Sequence, residues 1–275
     1  MGNKLKVADL PPVARTLLIP LSYRAIENRK PDPILPDKQA VELLARFDVD
    51  YERMVKSLGF EQLCTMMRAR QFDRWAAAFL ASHPGGVVVD IGCGLDARAA
   101  RVDDGRRKWF GLDFPEVVEV RRTLLPAGPR ERLIPGSVLD FAWMDAVAAE
   151  NAPAMFIAEG VLPYLPGGDV RRLLTALAER FPGSEFGFDA INRFSVRIHQ
   201  FHPAIRKAGA RLGWALERAE EIETWSPRIR LLEEWDYFRE REPQLGIFNW
   251  MRVIPPFVKA NYLVRYGFED PHPAG

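Results

Sequence analysis

From residue 86 onward, short apolar runs of strand length recur between stretches with helical spacing. Val87, Val88 and Val89 form a β-branched run between glycines, the pattern of a strand buried on both faces. Further strands are predicted at 108–112, 132–138, 154–160, 184–191, 230–238 and 261–268. Helices are predicted from Leu95 and over 115–125, 143–149 and 170–181. Alternating β and α elements imply a mostly parallel sheet with helices on both faces. Residues 1–85 read as helical instead, with helices over 16–28, 37–47 and 61–81. In the last of these, Phe72, Trp75, Ala76 and Phe79 form an apolar stripe that suits core packing. The expected organisation is a helical segment (1–85), a ligand-binding core (86–191), a helical, aromatic and basic cap insertion (192–221) and a completion of the core (222–275).

The first strand ends in Asp90-Ile91-Gly92-Cys93-Gly94, and the second ends at Asp113, 21 residues after Gly92. Strand, glycine turn, helix, strand and acid is the layout of a nucleotide-binding βαβ unit. Glycines let the chain turn tightly, amides at a helix start attract anions, and a carboxylate at the second strand accepts from ribose hydroxyls. Ala97 and Arg98 stand where a third glycine would fall, which favours a nucleoside ligand over a dinucleotide.

A formal net charge of +1 gives no argument for nucleic acid or an anionic membrane as partner. No apolar run approaches the ~18 residues of a membrane span, and the short run 16–21 makes no signal sequence. Cys64 and Cys93 have no metal-ligand spacing and suit reduced thiols, hence a cytoplasmic protein without a metal site. Monomer and homodimer both stay open.

The glycine turn with its later acid resembles the first motif of class I S-adenosylmethionine (SAM) methyltransferases. IAEGVLPYL at 157–165, LDFPEVVEVRR at 112–122, MRARQFDRW at 67–75 and YRAIENRKPDPIL at 23–35 resemble the leucine carboxyl methyltransferase family, and within it the bacterial branch that O-methylates polyketides and other secondary metabolites. The resemblance implies a Rossmann-like, mostly parallel seven-stranded sheet with SAM as cofactor. It implies that Arg68 clamps the methionine carboxylate, that Asp90, Gly92, Cys93 and Gly94 form the cofactor turn, and that Asp113 with Phe114 holds the ribose. Glu159, followed by Gly160, would meet the methionine amino group, and Tyr164 would face the same cleft as a catalytic candidate. The family's adenine-contacting Asp-Leu pair falls on Ser137-Val138, or on Asp140 in a shifted register.

The implied reaction is methyl transfer to oxygen of a small-molecule acceptor, with a carboxylate favoured. A carboxylate is ionised at neutral pH and needs a positive clamp, for which Arg24, Arg193 and Arg197 are candidates. A phenol would benefit from a base, and His199 and His202 are then the candidates. Other readings are a protein C-terminal carboxyl methyltransferase, a non-catalytic SAM-binding protein and a nicotinamide-dependent dehydrogenase.

Overall fold

The structure is a computed structural model that describes residues 4–6, 10, 15–48, 59–102, 105, 107–199, 211–240, 242–254 and 258–270. Among the described residues, two short helices, α1 (Leu18–Glu27) and α2 (Lys38–Leu44), precede the long α3 (Gly59–Ser82). Asp37 caps α2 by accepting from the Ala40 amide at 2.9 Å, which explains why that helix starts there. The alternating region follows as β1 (Val87–Ile91), α4 (Arg98–Val102), β2 (Lys108–Asp113), α5 (Pro115–Leu124), β3 (Glu131–Pro135), α6 (Trp143–Ala148), β4 (Ala154–Ala158), a 3-10 turn (Leu162–Tyr164), α7 (Gly167–Arg180) and β5 (Glu185–Ile191). The chain ends with α8 (Arg193–His199), a 3-10 segment (Ala219–Trp225), β6 (Ile229–Asp236), a second 3-10 segment (Pro243–Val253) and β7 (Asn261–Phe268).

The seven strands form one sheet in the order β3-β2-β1-β4-β5-β7-β6. Every pairing from β3 to β5 is parallel, whereas β7 runs antiparallel to both its neighbours. The strand period of two explains the uninterrupted apolar run in β1. Val87, Val89 and Ile91 face one core with Phe156, Phe186 and the apolar side of α7. Val88 faces the other core, with Met155, Ile157 and the α3 residues Phe72, Trp75 and Phe79. A helix pressed on the sheet this way carries apolar residues over more than one stripe, so α3 is a core helix rather than a surface one.

The insertion departs from its expected helical form. Only α8 is a helix before the undescribed 200–210, and residues 211–218 are irregular, neither helix nor strand. The amide of Gly213 donates to Pro163 O at 2.9 Å and that of Leu216 to Ile191 O at 2.9 Å, while Tyr262 Oη donates to Leu216 O at 2.8 Å. These bonds tie the segment across the sheet and take the backbone groups an α-helix would use. Trp214 sits against Gly167, with ring centroids 6.1 Å from Phe188, as part of the core rather than of a cap. No helix among the described residues is long and apolar enough to cross a membrane.

Candidate functional site

In a parallel sheet the ligand crevice lies beyond the carboxyl ends of the strands, where the order reverses. Here that point falls at β1, whose chain continues to β2 on one side and whose other neighbour is β4. The glycine turn leaves β1, Asp113 ends β2, Glu159 follows β4, and Asp189 lies near the end of β5. All four therefore share one edge of the sheet.

The turn has a strained geometry that glycine permits. Gly92 has φ +72°, and a Cβ there would come within 2.4 Å of Val161 Cγ2. Gly94 donates its amide to Asp113 Oδ2 at 2.8 Å, and Phe114 donates to Oδ1 at 2.8 Å. Burial pushes the Asp113 carboxyl above its usual range against the pull of those two amides. Leu17 lies against Gly94, so the start of α1 roofs the turn. From beneath, the buried Arg121 of α5 donates to the carbonyls of Gly94 at 2.9 Å and Asp96 at 2.7 Å. Cys93 is buried, and burial raises its thiol, so it serves as packing rather than as a nucleophile.

Next to the turn, four arginines interlock with acids from six elements and loops. Arg68 of α3 donates Nε to Glu159 Oε1 at 2.9 Å and Nη1 to Asp189 Oδ2 at 3.2 Å. Asp189 Oδ1 in turn accepts from the Gly160 amide at 2.6 Å. Arg98 of α4 donates Nε to Asp73 at 2.8 Å, Nη1 to Asp90 at 3.0 Å and Nη2 to Glu159 Oε2. Arg101 pairs with Asp37, Asp73 and Asp96, and Arg24 pairs with Asp37 and Asp96. These arginines face the six carboxylates of Asp37, Asp73, Asp90, Asp96, Glu159 and Asp189, which leaves the cluster short of positive charge. Burial would raise Glu159, but Arg68 and Arg98 outweigh it and hold the carboxyl below its usual range. Burial wins at Asp189, which is raised despite Arg68 and the Gly160 amide. It also wins at Asp90, which is pushed up to about 7 against Arg98. Tyr164 is 43% exposed, and burial and nearby Asp189 raise its phenol, so it stays protonated at neutral pH.

Ser137 and Val138 lie past the end of β3, in the turn that leads to α6. The Ser137 hydroxyl accepts from the Leu139 amide at 3.2 Å, Val138 O accepts from Trp143 Nε1 at 3.2 Å, and Asp140 Oδ1 accepts from the Ala142 amide at 3.3 Å. The turn joins the Asp113 side of the crevice through Gly136, whose amide donates to Asp113 O at 2.8 Å.

One expected clamp is elsewhere. Arg24 is 4% exposed and donates Nη2 to Leu95 O at 3.0 Å besides its two ion pairs, so its charge fastens α1 to the loop after β1 and reaches no acceptor. Arg193 and Arg197 are exposed on α8, and the Arg193 guanidinium lies 3.8 Å from Glu217. His199 is the last residue of α8; its side chain, like all of His202, lies outside the described residues. Arg98, Asp73, Asp189 and Arg121 were not among the expected site residues. Asp189, a lone charge in the apolar run 186–191, is the one whose sequence context signals it.

As a donor set, this edge offers a guanidinium for a carboxylate, buried acids for an ammonium and Asp113 for vicinal hydroxyls. The surplus of carboxylates suits a ligand that brings positive charge. Among the described residues, no group of His, Cys, Asp and Glu could hold a metal ion.

Comparison with known proteins agrees with this geometry. The sequence profile of the leucine carboxyl methyltransferase family matches residues 18–178. The tetracenomycin polyketide synthesis O-methyltransferase TcmP of Streptomyces glaucescens is 35% identical over 98% of this chain and 100% of its own length. The S-adenosyl-L-methionine-dependent methyltransferase dpfgK of Gibberella zeae is 29% identical over 86% of each chain. Among solved structures, a putative methyltransferase from Thermobifida fusca superposes with a TM-score of 0.52 at 20% identity, covering 92% of this chain and 95% of its own.

Proposed function

The chain belongs to the leucine carboxyl methyltransferase family, and from that premise we propose that it methylates a carboxylate oxygen of a small, ring-bearing secondary metabolite. It is an S-adenosylmethionine-dependent methyltransferase of the class I, Rossmann-like fold. The observation that carries the cofactor reading is the Arg68–Glu159–Asp189 cluster on the same strand edge as Asp113. A zwitterionic amino-acid end and a ribose are what those groups can bind together.

In this reading Arg68 receives the cofactor carboxylate, Glu159 and Asp189 receive the ammonium, and Asp113 accepts from the ribose hydroxyls. Ser137-Val138 or Asp140 would border the adenine. When bound, SAM supplies a methyl group activated by the positive charge on its sulfur. The protein's part is to align the acceptor oxygen and keep water out. An acceptor carboxylate, which ordinarily titrates near pH ~4, is already ionised and needs no base. Arg193 and Arg197 on α8 supply the positive side of the acceptor pocket. Tyr164 keeps its proton and so donates a hydrogen bond to the acceptor rather than removing a proton from it. The polyketide context of TcmP and the exposed Phe194 and Tyr164 support a ring-bearing acceptor.

The test uses SAM labelled in its methyl group with a panel of fused-ring aromatic acids and the matching phenols. A product whose label is released by mild base, as an ester's is, supports the proposal. A base-stable ether would move the acceptor group to a hydroxyl and the proton-accepting role to His199 or His202.

A further inference from the structure

We propose that Arg98 is a positioning residue for the cofactor: its buried guanidinium, anchored by Asp73 of α3 and Asp90 of β1, fixes Oε2 of Glu159 and keeps that carboxylate charged and aimed at the amino-acid end. The inference rests on the cofactor reading above. Arg98 is 1% exposed, so it meets no ligand and can act only through its partners. Its three nitrogens are all used: Nε on Asp73 at 2.8 Å, Nη1 on Asp90 at 3.0 Å, and Nη2 on Glu159, with Asp96 at 3.5 Å from the same nitrogen. Its plane is also held 5.7 Å from the Phe72 ring centroid. This is a fork with no freedom left, and a fork with fixed geometry fixes the carboxylate it holds.

A buried cation beside a carboxylate meant for an ammonium looks counterproductive. The surroundings resolve this. Arg98 is shared among four acids, so its charge is more than balanced and Glu159 keeps attraction to spare for a ligand. Without Arg98, Glu159 would stand among Asp90, Asp96, Asp189 and the buried Tyr237, with Arg68 as its remaining cation. Burial and the neighbouring carboxylates would then favour a bound proton, while the Tyr237 phenol, raised by its own burial, stays neutral. A protonated Glu159 attracts no ammonium, so cofactor affinity would fall as pH is lowered.

The experiment measures the dissociation constant of S-adenosylhomocysteine by calorimetry from pH 7.5 to 5.5, for the unaltered protein and for Arg98→Met, Asp73→Asn, Glu159→Gln and the double variants with Glu159→Gln. Unaltered protein is expected to change by less than about threefold across that range. Arg98→Met is expected to weaken by roughly tenfold for each pH unit below the new Glu159 pKa. Asp73→Asn, which frees Nε and leaves the cation in place, keeps the protein testable if Arg98→Met does not fold. It should weaken binding about threefold at pH 7.5 and add nothing in the Glu159→Gln background. Losses that add fully to Glu159→Gln, or a pH profile unchanged in Arg98→Met, would overturn the inference while leaving the cofactor reading intact. Failure of the unaltered protein to bind would remove both.

Discussion

Replacing Arg68 by Ala separates the two ends of the cofactor. The guanidinium is 22% exposed on its side chain and commits Nε to Glu159 and Nη1 to Asp189, which leaves Nη2 toward the glycine at 160 for a ligand carboxylate. Hydrogen bonds to charged groups contribute about 1.5–3 kcal/mol, so losing that contact should weaken S-adenosylhomocysteine by roughly 10- to 100-fold. The two carboxylates left behind, with side chains 13% and 9% exposed, lose their shared cation, and part of that cost appears as lowered stability. Methylthioadenosine carries the nucleoside and sulfur but no amino-acid end. Its affinity should change by less than about twofold, because among the described residues Arg68 pairs with Glu159 and Asp189 and not with Asp113 on the ribose side. Calorimetry with both ligands at pH 7.5, on protein shown to be folded by thermal unfolding, reads the difference directly. Arg68→Lys, which retains charge without the fork, should fall between the two. Equal weakening of both ligands would refute the placement of the carboxylate at Arg68, and so would an unchanged affinity for S-adenosylhomocysteine.

Other outcomes follow from the same geometry. Asp113→Asn should weaken S-adenosylhomocysteine and methylthioadenosine alike, by about tenfold, since both carry the ribose; a loss confined to one ligand contradicts the assignment. Gly92→Ala forces a Cβ to 2.4 Å from Val161 Cγ2 at φ +72°, and left-handed strain of about 1–2 kcal/mol plus overpacking of about 1–3 kcal/mol should lower Tm by roughly 5–15 °C. Val161→Ala should restore part of that fall, and a change under about 2 °C would contradict the close contact. Burial holds the Asp90 carboxyl at about 7 in the folded chain, against ~4 when unfolded, so the folded state alone keeps that proton between those values. Its contribution to stability therefore declines as pH rises from ~4 to 7 and then levels off. Urea unfolding across that range should show the slope in the unaltered protein and a flatter one in Asp90→Asn; identical slopes contradict it.

Much of the sheet was legible because its strands are bounded by glycines and prolines and because parallel strands read as apolar runs. The Val87–Val89 run, the apolar stretch before Glu159 and the last strand, Asn261–Phe268, all stand out for that reason. The position of β7 between β5 and β6 was not legible, since periodicity says which residues form a strand and nothing about its neighbours. The irregular path of 211–218 was hidden for a similar reason. Its aromatic and basic residues suit a helix locally, but hydrogen bonds to Pro163, Ile191 and Tyr262 override that preference. At the site, Asp113 could be named because it ends a strand 21 residues after Gly92, and Glu159 because the segment 157–165 resembles the family's motif. Arg24 could not be oriented, because its partners Asp37 and Asp96 are brought to it by folding. Arg98 stood out in sequence only as a residue beside the missing third glycine. Its four acidic partners come from α3, β1, the loop before α4 and the end of β4, and three-dimensional packing alone assembles them.

The central claim is that one strand edge holds SAM by its two ends, and a crystal structure with S-adenosylhomocysteine bound tests it most directly. The account predicts the ligand carboxylate on Arg68, its ammonium on Glu159 and Asp189, and its ribose hydroxyls on Asp113. A nucleoside bound at any other edge of the sheet, or one reversed so that its ribose meets Arg68, would contradict it.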